Sequence, residues 1–309
     1  MSNNQNSQSI YVFGDSLSDP GNLFNFTGGQ FPNEPYVSGR FSNGDVWIDY
    51  LADRLNKEVA SLAKPFSAGG GLNFAIGGAT SDNNNISGTV PLGLEQQINS
   101  FELLTSFKSP EQLSDDLFFL WTGANDYFSF VDDDPNTPDV VETNFSQINA
   151  ESVVTEVVDN NIGGAVRDLI DAGGETILLF DLPDLDRTPL AQKLSEQDRG
   201  ILRDLTGRHN ERLSSLVGEI EASNPSVNII EVGVNDLLDR IVENPGNFGF
   251  SNATDNFTGI DIITQINQPP AIGNPDSFVF WDSIHPTTAT HELVSDLVIQ
   301  ELSNEGLIS

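Results

Sequence analysis

The segment Ile10–Asn22, IYVFGDSLSDPGN, decides how the chain is read. A short apolar run, Ile10 to Phe13, ends at Gly14-Asp15, and Ser16 follows at once, ahead of Pro20-Gly21. That is a strand entering a tight turn. Ligands of an open α/β sheet bind outside the carboxyl ends of its strands, so a hydroxyl just past the first strand faces the crevice. Ser16 is therefore a candidate nucleophile, with capping of the next helix as the ordinary alternative for a serine in that position.

Downstream, strand and helix patterns alternate. VWIDYLADRL places Val46, Trp47, Tyr50, Leu51 and Leu55 at helical spacing, as a surface helix with one apolar face. Val59–Ala63 reads as a short second strand, and the glycine-dense stretch around Asn73–Thr80 as a loop. Leu92–Leu104 is helical. DLFFLWT, Asp116 to Thr122, is a continuous apolar run of the kind a buried parallel strand requires, and it ends in Gly123-Ala124-Asn125-Asp126. Glu151–Ala172 is a helix stopped by Gly173-Gly174, Thr176–Phe180 a strand, Ser195–Ala222 a long helix, Val227–Val232 a strand and Val234–Val242 a helix. Asn244–Ser277 is an irregular insert, the kind of segment that serves as a functional loop or lid. Phe278–Trp281 reads as a strand running into Asp282-Ser283-Ile284-His285-Pro286, and Thr287–Leu302 as the last helix. This alternation implies an α/β fold with a parallel sheet covered on both faces.

The chain of 309 residues shows no composition break, so residues 10–309 are expected to form one domain behind a poorly ordered polar tail, residues 1–9. That tail lacks the basic start and apolar core of a secretory signal, and no apolar run approaches the roughly 18 residues of a membrane span. The compartment stays open between secreted and cytoplasmic. A net charge of −33 with only 13 Lys and Arg argues against nucleic acid as a partner and against stable membrane insertion. A monomer is the default expectation. With no cysteine, disulfides, thiolate nucleophiles and thiolate metal sites are excluded.

Two cofactor patterns fail. Gly69, Gly71 and Phe74 give G-x-G-x-x-F in place of a dinucleotide fingerprint, and in the acidic stretch 132–139 Thr137 stands where an EF-hand needs glycine. No H-E-x-x-H metal motif occurs either. What remains is a constellation: Ser16, Asn125, Asp282 and His285 all follow runs read as strands. A serine hydroxyl is a poor nucleophile until an imidazole takes its proton, and the imidazole needs a carboxylate to fix its tautomer. Asp282 and His285, three apart in one turn, supply that pair, with Asp181 and Asp184 as competing acids at another strand end. The amides of Ser16 and Gly78 and the side chain of Asn125 are available as oxyanion donors. Of the other histidines, His209 is expected to be exposed on a charged helix and His291 to be a surface or capping residue. Phe24, Phe26, Phe128, Phe130 and Ile284 lie close enough in sequence to line an apolar pocket.

The segments VFGDSLSDPGN, NFAIGGAT, TGANDY and WDSIHPT resemble, in order, the four blocks of the GDSL family of SGNH esterases and lipases. GRFSNGDVWIDYLA and DLPDLDRTP are similar to that family as well, so the likeness runs from Ile10 to about Leu302. It implies a flavodoxin-like three-layer α/β/α sandwich with five parallel strands in the order 2-1-3-4-5. It implies Ser16 as nucleophile, His285 as general base and then acid, and Asp282 as its orienter. It also implies an oxyanion hole from the amides of Ser16 and Gly78 with the Asn125 side chain, and no cofactor or metal. No G-x-S-x-G elbow is present, since Ser18 stands where its second glycine belongs. The expected reaction is hydrolysis of small aryl or short-chain carboxylic esters, because neither an interfacial anchor nor a basic lipid-binding patch is visible. A lipid acyltransferase or phospholipase, and a catalytically silent binding protein on the same fold, are the alternatives.

Overall fold

In a computed structural model, residues 8–63, 71–88, 90–132, 142–265 and 267–308 are described; the N-terminal tail through residue 7 and the acidic stretch 133–139 lie outside them. The strands are β1 (Ile10–Gly14), β2 (Ala60–Ser61), β3 (Gly71–Asn73), β4 (Leu117–Trp121), β5 (Val131–Asp132), β6 (Glu142–Thr143), β7 (Thr176–Phe180), β8 (Asn228–Val232), β9 (Asn252–Asn256) and β10 (Phe278–Phe280). Six of them form one parallel sheet in the order β2-β3-β1-β4-β7-β8. Its register sets Gly14, the last residue of β1, against Trp121 of β4, so the turns beginning at Asp15 and Thr122 leave the sheet side by side.

Period-two alternation builds the layers. Tyr11 and Phe13 of β1, Phe118 and Leu120 of β4, and Ile177 and Leu179 of β7 join one core, beneath the helices Leu94–Thr105 and Glu196–Ser223. Their neighbours Ile10, Val12, Leu117, Phe119, Trp121, Leu178 and Phe180 face the other core, under Trp47–Leu55, Val234–Glu243 and Thr288–Asn304. Strands buried on both faces need no polar alternation, which is why they read as unbroken apolar runs. The fold is therefore a three-layer α/β/α sandwich.

Three expectations change. The sheet has six strands, not five, because a further short strand is added at its edge. The stretch Val59–Ala63 contributes only a two-residue edge, and β3, which lies in the glycine-dense stretch read as loop, pairs directly with β1. β3 has no apolar run to announce it; Gly71 sits at φ 130°, where a Cβ would come 1.9 Å from the Ile10 carbonyl oxygen. Without the edge strand, the order is the expected 2-1-3-4-5. Second, β10 is not in this sheet: it pairs with β9 from the insert in a separate parallel ribbon. Third, the helical stretch 150–172 is interrupted by a π-helical segment, Thr155–Ile162.

Candidate active site

The turn after β1 is held from several sides. The Gln97 carboxamide donates to the Gly14 carbonyl and accepts from the Gly14 amide, each at 2.8 Å. Asn73 Nδ2 donates to the Ser18 carbonyl at 2.7 Å, and the fully buried Trp47 donates through Nε1 to Ser18 Oγ at 3.0 Å. Asp19 accepts backbone N–H groups from Gly21, Asn22, Leu23 and Gly77. Ser16 does not cap the next helix, Asn22–Phe26, which starts from Gly21.

The structure brings Ser16, His285 and Asp282 together. Ser16 Oγ lies 2.7 Å from His285 Nε2, and His285 Nδ1 lies 2.7 Å from Asp282 Oδ2. All three side chains are buried, Asp282 completely. Asp282 Oδ1 accepts the amides of Ile284 and His285, while Oδ2 also accepts the phenol of Tyr36 at 2.6 Å. With the carboxylate on Nδ1, the imidazole carries its proton there and presents a lone pair to the serine. The competing acids sit elsewhere: Asp181 accepts the Asn235 amide, and Asp184 pairs with Arg187.

The loop of NFAIGGAT meets the same point. Gly77 N–H is committed to Asp19 Oδ2 at 2.7 Å, whereas among the described residues the amides of Ser16 and Gly78 donate to no protein acceptor. Gly78 sits at φ 78°, the left-handed region that suits glycine. Asn125 Nδ2 spends one hydrogen on the Ala79 carbonyl at 2.9 Å, which ties the two loops together and leaves its second N–H.

Two clefts open from this point, both lined by Ser16, Asn125, Phe128, Ile284 and His285. One is narrow, about 60 Å³, and walled by Trp121, Leu185, Leu238, Val242, Phe280 and Val294. The other is a groove of about 730 Å³ whose walls include Asn33, Ser129, Asp261, Gln265 and Asn267. The insert supplies the groove's far wall and is bonded to the His285 turn through Ser283 N–H to the Ile260 carbonyl, 3.0 Å, and Thr258 Oγ1 to the Trp281 carbonyl, 2.8 Å. Of the five apolar residues expected here, Phe128 and Ile284 line both clefts. Phe24, Phe26 and Phe130 line neither; Phe26 is exposed and Phe130 packs on Phe145.

Both remaining histidines are buried, contrary to expectation. His209 accepts or donates at Nδ1 with Tyr127 Oη, 2.9 Å away, and burial pushes its imidazole down to about 3. Burial, and His285 nearby, do the same to His291. Spacing contained the signal: His209 falls on the buried stripe Leu202, Leu205, Leu213, Leu216, and His291 on Val294, Val298 and Leu302. Burial also lifts the Asp15 and Asp19 carboxyls to about 6, against the hydrogen bonds they accept. Among the described residues no cluster of three or more His, Asp or Glu is arranged to hold a metal ion, and no helix is long and apolar enough to cross a membrane.

Sequence reasoning passed over Tyr36, Asp19 and Gln97. Asp19 had a turn signature in Asp-Pro-Gly-Asn; Gln97 and Tyr36 had none, since each acts across more than 80 residues of sequence.

The chain is similar to known proteins along most of its length. The chain is 26% identical over 304 residues to the thermolabile hemolysin of Vibrio parahaemolyticus, covering 96% of this chain and 64% of that protein, so it spans less than two thirds of that relative. It is 28% identical over 328 residues to the phosphatidylcholine-sterol acyltransferase of Aeromonas hydrophila, covering 93% and 88%. Among solved structures, a phospholipase A1 from Streptomyces albidoflavus superposes with a TM-score of 0.45 at 14% identity, covering 96% of this chain and 99% of that one. The model of the GDSL-like lipase/acylhydrolase family matches residues 10–298, and the chain belongs to that family.

Proposed function

We propose that the protein is a serine esterase that hydrolyses small carboxylic esters through an acyl-enzyme on Ser16. The observation that carries this reading is the continuous line of hydrogen bonds from Ser16 Oγ through His285 to Asp282, 2.7 Å at each step. Ser16 Oγ attacks the ester carbonyl as its proton passes to His285 Nε2, and Asp282 offsets the imidazolium charge. The oxyanion that forms is met by the amides of Ser16 and Gly78 and the second N–H of Asn125. Collapse breaks the ester C–O bond, His285 returns the proton to the departing alcohol, and water repeats the cycle to free Ser16.

The clefts divide the substrate. The acyl group stays bound through two chemical steps, which suits the narrow apolar pocket, while the alcohol must leave and water enter, which suits the wide groove. A volume of about 60 Å³ favours short acyl chains, while the groove has room for an aryl alcohol. A nitrophenyl ester series of rising acyl length, run beside Ser16→Ala, tests both parts. Activity is expected to peak at short acyl chains and vanish in the variant; a rate still rising beyond about eight carbons contradicts the substrate choice, and an active Ser16→Ala contradicts the mechanism.

Acyl transfer is a second reading, favoured by the open groove and by the relative named as an acyltransferase. A competing alcohol in the assay separates the two: an ester product means transfer.

A further inference from the structure

The hydrogen bond from Tyr36 to Asp282 has no place in the proton path above, yet the segment that carries it is fitted closely to the His285 turn. Tyr36 Oη donates to Asp282 Oδ2 at 2.6 Å, the Phe41 ring lies 5.0 Å from the His285 ring, and Ser42 Oγ donates to the Pro286 carbonyl at 3.0 Å. One short loop thus meets three residues of the turn. The loop itself is pinned: Val37 N–H donates to the Ser42 carbonyl at 3.1 Å, and the Arg40 guanidinium pairs bidentately with Asp49 at 2.7 and 2.8 Å.

The donors around Asp282 divide unequally. Oδ1 is occupied by two backbone amides, which no side-chain change removes, while Oδ2 is shared by the imidazole and the phenol. We propose that Tyr36 is a positioning residue that sets how firmly Asp282 holds the His285 imidazolium; this rests on the reading of Ser16 as nucleophile. A donor on the same oxygen draws negative charge away from the imidazolium and fixes the carboxylate plane, and bonds to ionised acceptors are the strong ones. Burial and the neighbouring Asp282 charge push the phenol well above its usual range, so it remains a donor throughout the working pH. Without it, the carboxylate binds the imidazolium more tightly. The imidazole then gives up its proton less readily, both on titration and to the leaving alcohol.

Other charges face this array. Asp15 approaches His285 from the turn after β1, His291 from the last helix, and Asp261 of the insert, paired with Lys193 at 2.7 Å, lies near Tyr36. Burial lifts Asp15 to about 6, inside the window of the test, so the test is run with Asp15→Asn as a second background.

Tyr36→Phe keeps the ring that packs on Phe41 and removes only the hydroxyl. With an alkyl acetate, whose alkoxide cannot leave unprotonated, kcat followed over about pH 5 to 9 is expected to fall about tenfold with KM unchanged, the loss of one hydrogen bond to a charged group. The acid limb of the profile moves up by about half a pH unit or more, in both backgrounds. Fluorotyrosine at position 36, a stronger donor that preserves the fold, moves the limb down. A lower melting temperature with kcat and the limb unchanged in both replacements would overturn the assignment, leaving Tyr36 a structural partner. Ser16→Ala, run in parallel, separates the two failures: its retained activity sinks the esterase reading, whereas its inactivity beside an unaltered Tyr36→Phe sinks only this inference.

Discussion

The two clefts share five lining residues and differ in almost everything else. On one side of Ser16 the strand ends and helices of the scaffold, Trp121, Leu238, Val242 and Val294, close around a slot of about 60 Å³; on the other, loops and the insert leave about 730 Å³ whose walls mix carboxamides, hydroxyls and Asp261 with Phe31, Phe41, Ile86 and Ile262. Scaffold walls are held by core packing and loop walls by a few hydrogen bonds. On the proposed function, discrimination among acyl chains would fall to rigid elements and tolerance of alcohols to the insert.

Both sides of that comparison meet at the proposed oxyanion hole, and the largest effect is expected there. Asn125→Ala should lower kcat on the order of a hundred- to a thousandfold for every ester, whichever cleft it fills. A variant with wild-type kcat on an aryl acetate would remove Asn125 from the hole. Next in size is the slot. Leu238→Trp is expected to cut kcat/KM for a butyrate ester about tenfold or more while sparing the acetate, since one or two methylenes in an apolar pocket carry that much discrimination. Equal losses on both esters would break the asymmetry.

A smaller effect is expected from Arg187, which lines the slot half-exposed and pairs with Asp184, Asp239 and Glu243 at 3.5, 3.0 and 3.9 Å. Partly solvated ion pairs contribute little, so Arg187→Ala should shift the acyl preference upward by only a few-fold. An unchanged chain-length profile would place the slot's limit elsewhere.

The smallest effect concerns stability. Burial lifts Asp15 and Asp19 to about 6 and Asp126 and Asp181 to about 7, from an ordinary 3.8. Groups raised on folding stabilise fully below the unfolded value, and that contribution is lost as pH rises through the folded one. His209 and His291, lowered to about 3, work the other way, and their contribution begins to fade only below the unfolded value of 6.5. Tm is therefore expected to rise by a few degrees on going from about pH 8 to 6, helped by relief of the −33 charge. A Tm that falls over that interval contradicts the sign.

Much of this architecture was legible in the chain because buried parallel strands are unbroken apolar runs, and β1, β4 and β7 announce themselves so, while the edge strand β8 carries Asn228 and the exposed Glu231 among its apolar residues. β3 did not, since its Gly71-Leu72-Asn73 pairs through the backbone against Ile10 and Val12 with almost no side-chain signal. β10 shows the opposite error, an apolar run that pairs with the insert, because composition reports burial and not partner. The triad candidates were readable as residue types following strand-like runs; the partners that hold them were not. Tyr36 and Gln97 act across the fold through single hydrogen bonds, and no local pattern encodes such a contact.

The account rests on Ser16 being a nucleophile made reactive by His285. A serine-directed fluorophosphonate, followed by intact mass and peptide mapping, tests it directly. One adduct per chain at Ser16 is expected in the wild type, none in Ser16→Ala, and markedly slowed labelling in His285→Ala. Labelling at another residue, or an unmodified Ser16 in a folded protein that still hydrolyses esters, would contradict it.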